Sequence, residues 1–259
     1  MLQSRFVFAA VFFLALAISA LAVVPALAQD APDKIKKIAL IPCPEPEKYA
    51  ASTMQGGMVW MMVNGDNADK FTEALARDPS KLPAMITDAV EANLRAQNIE
   101  VVRIAATREK PYLLLKDYSQ IQTDADVILD VVISEAGYYR PAWINDLAPG
   151  VRIRAQLVSS ATKQKIMDEH FAYGRGHRFT GRYDFSSSYK FANLDSLREQ
   201  LPRAKEGMEK GAEPIAAELA GKVGEINRAG ISAAATAAAK AVEFSDEPEA
   251  RRSDDRGSN

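Results

Sequence analysis

The hydrophobic and polar positions between Asp126 and Tyr173 predict three consecutive β-strands. Asp126–Ile133 is almost wholly apolar and rich in β-branched residues, the composition of a strand buried on both faces. In Val151–Val158, the residues Val151, Ile153, Ala155 and Leu157 alternate with Arg152, Arg154 and Gln156. That period of two predicts one face on a core and the other toward water. Lys165–Tyr173 follows the polar turn Ser159–Gln164, which predicts an antiparallel return.

Upstream, Lys37–Ile41 reads as a short strand, stopped by three prolines within Pro42–Pro46. Leu82, Ile86, Val90 and Leu94 fall four residues apart, with Met85 and Ala89 beside them, and predict an amphipathic helix over Leu82–Ala96. Ser80 is its expected cap, and Pro83 fits its first turn. Ile99–Ile104 is the next strand, so strand, helix and strand make a parallel β-α-β unit. Between Thr107 and Thr123 the pattern is weak, with one short helix expected near Leu113–Tyr118. Asp195 is the expected cap of a long C-terminal helix in which Leu201, Met208 and Ile215, then Ala212, Leu219 and Ile226, recur every seven residues. Pro202, Gly207, Gly211 and Pro214 are the places where it breaks. The fold class is therefore α/β (α+β): a two-layer sandwich with a mixed sheet of about five strands and amphipathic helices packed on it.

The N-terminus alters this picture by adding a compartment. Arg5 is the one charge before Asp30, Phe6–Val24 is apolar but for Ser19, and Pro25–Ala28 ends in Ala-Leu-Ala. This is the pattern of a secretory signal peptide cut after Ala28, although about 20 apolar residues also suffice for a membrane anchor. Residues 1–28 are thus expected as a signal peptide and 29–227 as one α/β domain with a Met/Trp-rich insertion at 50–76. Residues 228–259 are expected as an Ala-rich helix and a charged, disordered tail.

Of 32 basic and 34 acidic residues only Arg5 leaves with the signal, so the mature net charge is about −3. Such a balance gives no electrostatic case for nucleic acid. Cys43 is the one cysteine, so no internal disulfide forms; its place after the first strand predicts burial.

Candidate chemistry is sparse. The chain has no H-E-x-x-H, C-x-x-C, Walker loop or G-x-G-x-x-G, and Ser186–Ser188 lies outside any G-x-S-x-G elbow. His170 and His177 are seven residues apart, and Asp168 shares a strand face with His170; these three are the residues on which a metal-dependent or acid–base hydrolase would have to rest. No catalytic, cofactor or metal residues are assigned. Asp130, inside an apolar strand, needs a partner, for which Arg152 or Arg154 on the next strand is expected. Met54–Val63 combines four Met and one Trp with two Gly, fitting either a core-filling helix or a surface that touches lipid or a partner. Ser134–Trp143 reads as an aromatic hairpin end. Trp60, Tyr138, Tyr139 and Trp143 are therefore the candidate partner contacts, because aromatics dominate binding energy where they are exposed.

The order of elements resembles the small α/β domain of periplasmic envelope proteins such as the CsgG and LpoB lipoproteins and the TolB N-terminal domain. The likeness lies in Lys37–Pro42 as first strand, Leu82–Ala96 as helix and Ile99–Ile104 as second strand. It continues in Asp124–Asp130, at the group's "Gly-Ala-Asp then strand" position, and in Val151–Ala161 with Thr162–Ile166, at its strand–turn–strand. This sequence has Asp124 for the glycine, Ser159 for the turn's acidic residue and no lipidated cysteine. The resemblance implies a non-catalytic periplasmic protein that binds other envelope proteins. The alternative is a membrane-attached envelope factor that uses Met54–Val63 for peripheral contact.

Overall fold

The computed structural model describes residues 34–52, 69–140, 146–174 and 187–231. The chain divides into two compact units, Met1–Ala31 and Pro32–Asn259, and every described residue belongs to the second. The leader, Met54–Val63 and the tail lie outside the described residues.

Strand β4 (Val127–Tyr139) is the axis of a six-stranded mixed sheet. On one edge it pairs antiparallel with β5 (Ala148–Ser159), which pairs antiparallel with β6 (Lys165–Tyr173). Its other edge takes two strands in succession, both parallel. β1 (Lys37–Ile41) pairs along Val127–Asp130, and β2 (Ala50–Ser52) along Gly137–Tyr139. The proline-rich exit from β1 thus lifts the chain off the ladder and returns it farther along the same strand. β3 (Glu100–Arg103) pairs parallel with β1, as the β-α-β reading requires. The path β3-β1-β4-β5-β6 with β2 beside β4 makes an open, mixed sheet under a helical layer, the expected two-layer class.

Helix α1 runs through 69–77, and α2 spans Leu82–Arg95. Leu82, Ile86, Val90 and Leu94 are wholly buried, each contributing about 1.5–3 kcal/mol by leaving water. Lys81 at the α2 N-cap offers no side-chain acceptor. Ser80 Oγ accepts from Leu82 N–H instead, while Glu209 from a distant helix accepts from both Ser80 Oγ (3.0 Å) and Lys81 N–H (2.8 Å). An anionic acceptor at a helix N-terminus stabilises it by about 0.3–1 kcal/mol.

The C-terminal helix is broken as its prolines and glycines indicate. α3 (Leu194–Glu199), α4 (Leu201–Glu209) and α5 (Ala212–Ala229) are separated at Gln200 and at Lys210–Gly211. Its cap is Asn193 in a reciprocal box with Ser196, and Asp195 instead sits in the first turn. α5 runs two residues past the domain end expected at 227 and ties itself back: Asn227 accepts from Ile35 N–H (2.8 Å) and donates to Ile35 O (3.1 Å), imitating a strand partner. The flanks of the expected 50–76 insertion also belong to the fold, since β2 joins the sheet and Phe71 and Leu75 are buried in its core.

Side-chain alternation divides the sheet into two cores. Ile38, Leu40, Val127, Leu129, Val131, Ile133, Ile153 and Leu157 meet the helices. Ala39, Ile41, Ile128 and Val158 face the other way, onto Tyr118, Leu115 and Ile121 of the segment between β3 and β4. That segment, 104–126, forms turns and no helix at Leu113–Tyr118, yet it acts as the second cover. The polar face of β5 is accordingly drier than alternation predicts, with Gln156 7 % exposed.

A register shift between Ile133 and Glu135 inserts an extra residue into β4. Before it the odd-numbered residues point at the helices, and after it Ala136 and Tyr138 do. Tyr138, expected as a partner contact, is therefore fully buried; its hydroxyl donates to Ala204 O at 3.0 Å under α4. Its ring stands edge-on to Phe71 and Phe191. Gly207 leaves room for that hydroxyl, because a Cβ there would lie 2.2 Å from Tyr138 Oη. Gly207→Ala should cost about 1–3 kcal/mol in urea unfolding. Adding Tyr138→Phe should recover part of that loss, and strictly additive losses would contradict the packing described.

Candidate ligand cleft

Asp130 lies on the sheet face covered by 104–126. It faces Gln156 across the β4–β5 ladder and has no solvent exposure. Its partner is Arg108 rather than the expected Arg152 or Arg154: Arg108 Nη2 stands 2.6 Å from Oδ1, with only 7 % of the Arg side chain exposed. This is a charge contact without hydrogen-bond alignment at Oδ1. The Arg108 N–H groups point to Leu113 O (3.5 Å) and Val131 O (3.4 Å). Oδ2 accepts from Leu115 N–H at 2.9 Å and from Tyr118 Oη at 2.8 Å. Tyr118 Oη is also 2.8 Å from the Gln156 side-chain amide. A phenol has one proton, so Tyr118 donates to one of two acceptors at a time, Asp130 Oδ2 or Gln156 Oε1. Burial, then the Asp130 charge, raises the pKa of Tyr118 and keeps it a neutral donor.

Arg154 is occupied elsewhere. Its Nε and Nη2 form a fork on both oxygens of Asp168, each at 2.7 Å, and Lys165 Nζ adds a third contact at 2.7 Å. Burial works to raise the pKa of Asp168, but the bonds from Arg154 and Lys165 outweigh it and hold the carboxyl below its usual range. His170, exposed and opposite Arg154, is held below its ordinary pKa by partial burial and by Arg152 and Arg154. Asp168 is thus committed to two cations and is no free partner for His170; His177 lies outside the described residues. Among the described residues, no group of three or more His, Cys, Asp or Glu gathers within reach of one metal ion.

Between the 113–118 segment and strands β5 and β6 opens a cleft of about 400 Å³. Leu113, Leu114, Leu115 and Val158 supply apolar lining, and Tyr118 and Gln156 supply polar groups. Lys116, Arg154, Lys163 and Lys165 bring four cations, of which Lys116 is paired with Glu109 at 2.6 Å and Arg154 and Lys165 with Asp168. The weak 104–126 pattern hid this feature from the sequence. The one available signal was Asp130, whose need for a partner points to some nearby cation.

Of the four candidate contacts, Tyr138 is core and Tyr139 is half-buried on the strand face opposite it. Trp60 and Trp143 lie outside the described residues. Cys43 is buried as expected, its N–H donating to Thr87 Oγ1 at 3.0 Å. Burial pushes its thiol up to about 12.

Comparison with protein-family models and with curated proteins finds no match. Among solved structures, protein XCC0632 from Xanthomonas campestris, described with DUF330, is 16% identical over 78% of this chain and 90% of its own, with a TM-score of 0.41. The hypothetical protein CT253 from Chlamydia trachomatis is 12% identical over 73% of this chain and 98% of its own, at 0.34. A PelC dodecamer from Paraburkholderia phytofirmans is 15% identical over 75% of this chain and 89% of its own, at 0.33. None of them supplies a residue role to this chain.

Removing one member of a buried pair strands the other charge, at about 3–5 kcal/mol. Arg108→Met should lose that much in denaturant unfolding. Asp130→Leu should lose more, because it also orphans Leu115 N–H and Tyr118 Oη; a loss under about 1 kcal/mol in either would contradict the network. The Cys43 thiol should resist a disulfide reagent at mildly alkaline pH until the protein is unfolded, and rapid labelling of the native chain would contradict its burial.

Proposed function

We propose that this chain is an exported, non-catalytic α/β domain that works by binding other components of the cell envelope. The observation that carries the reading is the state of the buried polar cluster. Asp130 is held by Arg108, Leu115 and Tyr118, and Asp168 by Arg154 and Lys165, so these two carboxylates serve as structural glue. General acid–base work needs a group whose proton is free to move at the reacting atom.

Export rests on the sequence alone, through the charged start, the apolar Phe6–Val24 and the Ala-Leu-Ala ending at Ala28. Among the described residues no helix is long and apolar enough to cross a membrane. The strand–helix–strand order and the returning β5–β6 pair support a place beside the CsgG, LpoB and TolB N-terminal group. Asp126 gives that group's Asp-then-strand position a physical role here: its carboxylate accepts from Lys36 N–H (2.7 Å) and Lys37 N–H (2.9 Å), fastening the start of β1 beside β4.

Fractionation of cells making the protein tests this. A mature chain that begins at Gln29 and leaves the cells by osmotic shock is the expected result. Full-length chain in the cytoplasm would contradict export, and retention with membranes would favour contact through Met54–Val63.

A further inference from the structure

We infer that the cleft between the 113–118 segment and β5/β6 binds a small amphipathic anion: a carboxylate or similar single charge on a short apolar body.

The charge balance selects the sign. Arg154 and Lys165 share a single carboxylate, Asp168, so between them one positive charge stays uncompensated. Lys163 donates to Ile121 O at 2.9 Å and lies near the Asp117 carboxylate, and Lys116 pairs with Glu109 at 2.6 Å, so the surplus rests on the Arg154–Lys165 pair. An anion entering here meets cations already fixed in place, so little ordering of long side chains opposes binding. The Lys163 backbone is fixed as well, at φ +57° in the tight turn between β5 and β6.

The apolar lining selects the rest of the ligand. Leu113 and Leu115 are half-buried beside Val158, and their segment is pinned from beneath by the bond from Leu115 N–H to Asp130. A fully hydrated ion such as phosphate would leave that surface uncovered. A short alkyl or aryl group covers it and removes it from water. The volume of about 400 Å³ lies within the range of small-molecule sites, which run from about 300 to 1,000 Å³.

The proposal rests on the reading of the domain as a binder, though not on its compartment. The test uses the protein purified from the cells that make it, titrated with octanoate, with acetate and with octylammonium, each followed by calorimetry and by thermal unfolding. Octanoate is expected to bind saturably and to raise the unfolding midpoint. Acetate lacks the apolar body and octylammonium the sign, so neither should do so at the same concentration. Lys163→Asn with Lys165→Gln should weaken octanoate about tenfold. Asn is chosen because it tolerates positive φ. Should the pair unfold the protein, Lys165→Gln alone decides, its unliganded midpoint serving as the control for folding.

Absence of saturable octanoate binding, equal binding of octylammonium or acetate, or undiminished affinity in a folded variant would each overturn the proposal. Conversion of octanoate to a product during the titration would instead sink the non-catalytic reading while leaving the cleft as its site.

Discussion

A carboxylate without solvent access, set in an apolar strand, obliges the surrounding chain to supply its partners. Asp130 is that group, and the segment 104–126 is the chain that answers it. Arg108 brings the opposite charge, Leu115 a backbone N–H and Tyr118 a phenol. Those bonds convert a stretch with no regular secondary structure into the cover of one sheet face. Ile41, Ile128 and Val158 bury against it as the other face buries against α2 and α5. One side of the sheet is therefore closed by apolar helices and the other by an ion pair with its hydrogen bonds.

The two sides differ in how plainly the sequence announces them. Leu82, Ile86, Val90 and Leu94 repeat at the helical period, and β1, β3 and β6 follow from alternation and from turn residues. Local pattern suffices there because each element buries a face of its own. It fails where the deciding interaction is remote in sequence. Asp130 demanded a cation, and the nearest strand offered Arg152 and Arg154; the structure uses Arg108, twenty-two positions upstream in a stretch without a period, and gives Arg154 to Asp168. Tyr138 fails for a second reason. One inserted residue after Ile133 reverses the parity of β4, so a ring expected as an exposed aromatic of a hairpin end lies beneath α4, in the space that Gly207 leaves open.

The same division accounts for where a ligand can be received. The helical side is filled by aliphatic and aromatic side chains, including the edge-on run Tyr49, Phe71, Tyr138 and Phe191. On the other side, turns cannot cover β5 and β6 as evenly as a helix would, and the space they leave is the cleft. Arg154 comes from the polar face of β5, Lys163 from the β5–β6 turn and Lys165 from the start of β6, and they share a wall with Leu113–Leu115, whose own segment adds Lys116. Binding there is a consequence of how the second face is closed, and the candidate aromatics at Trp60 and Trp143 are separate from it in sequence.

The closure of the second sheet face depends on 104–126 being a fixed layer held by Asp130. Native-state hydrogen exchange at the Leu115 amide tests this most directly, since that N–H is bonded to the buried carboxylate. Protection comparable to that of the β4 and β5 amides is the predicted result. Exchange at the rate of an exposed loop would mean that the segment opens independently of the sheet, and the account would fail.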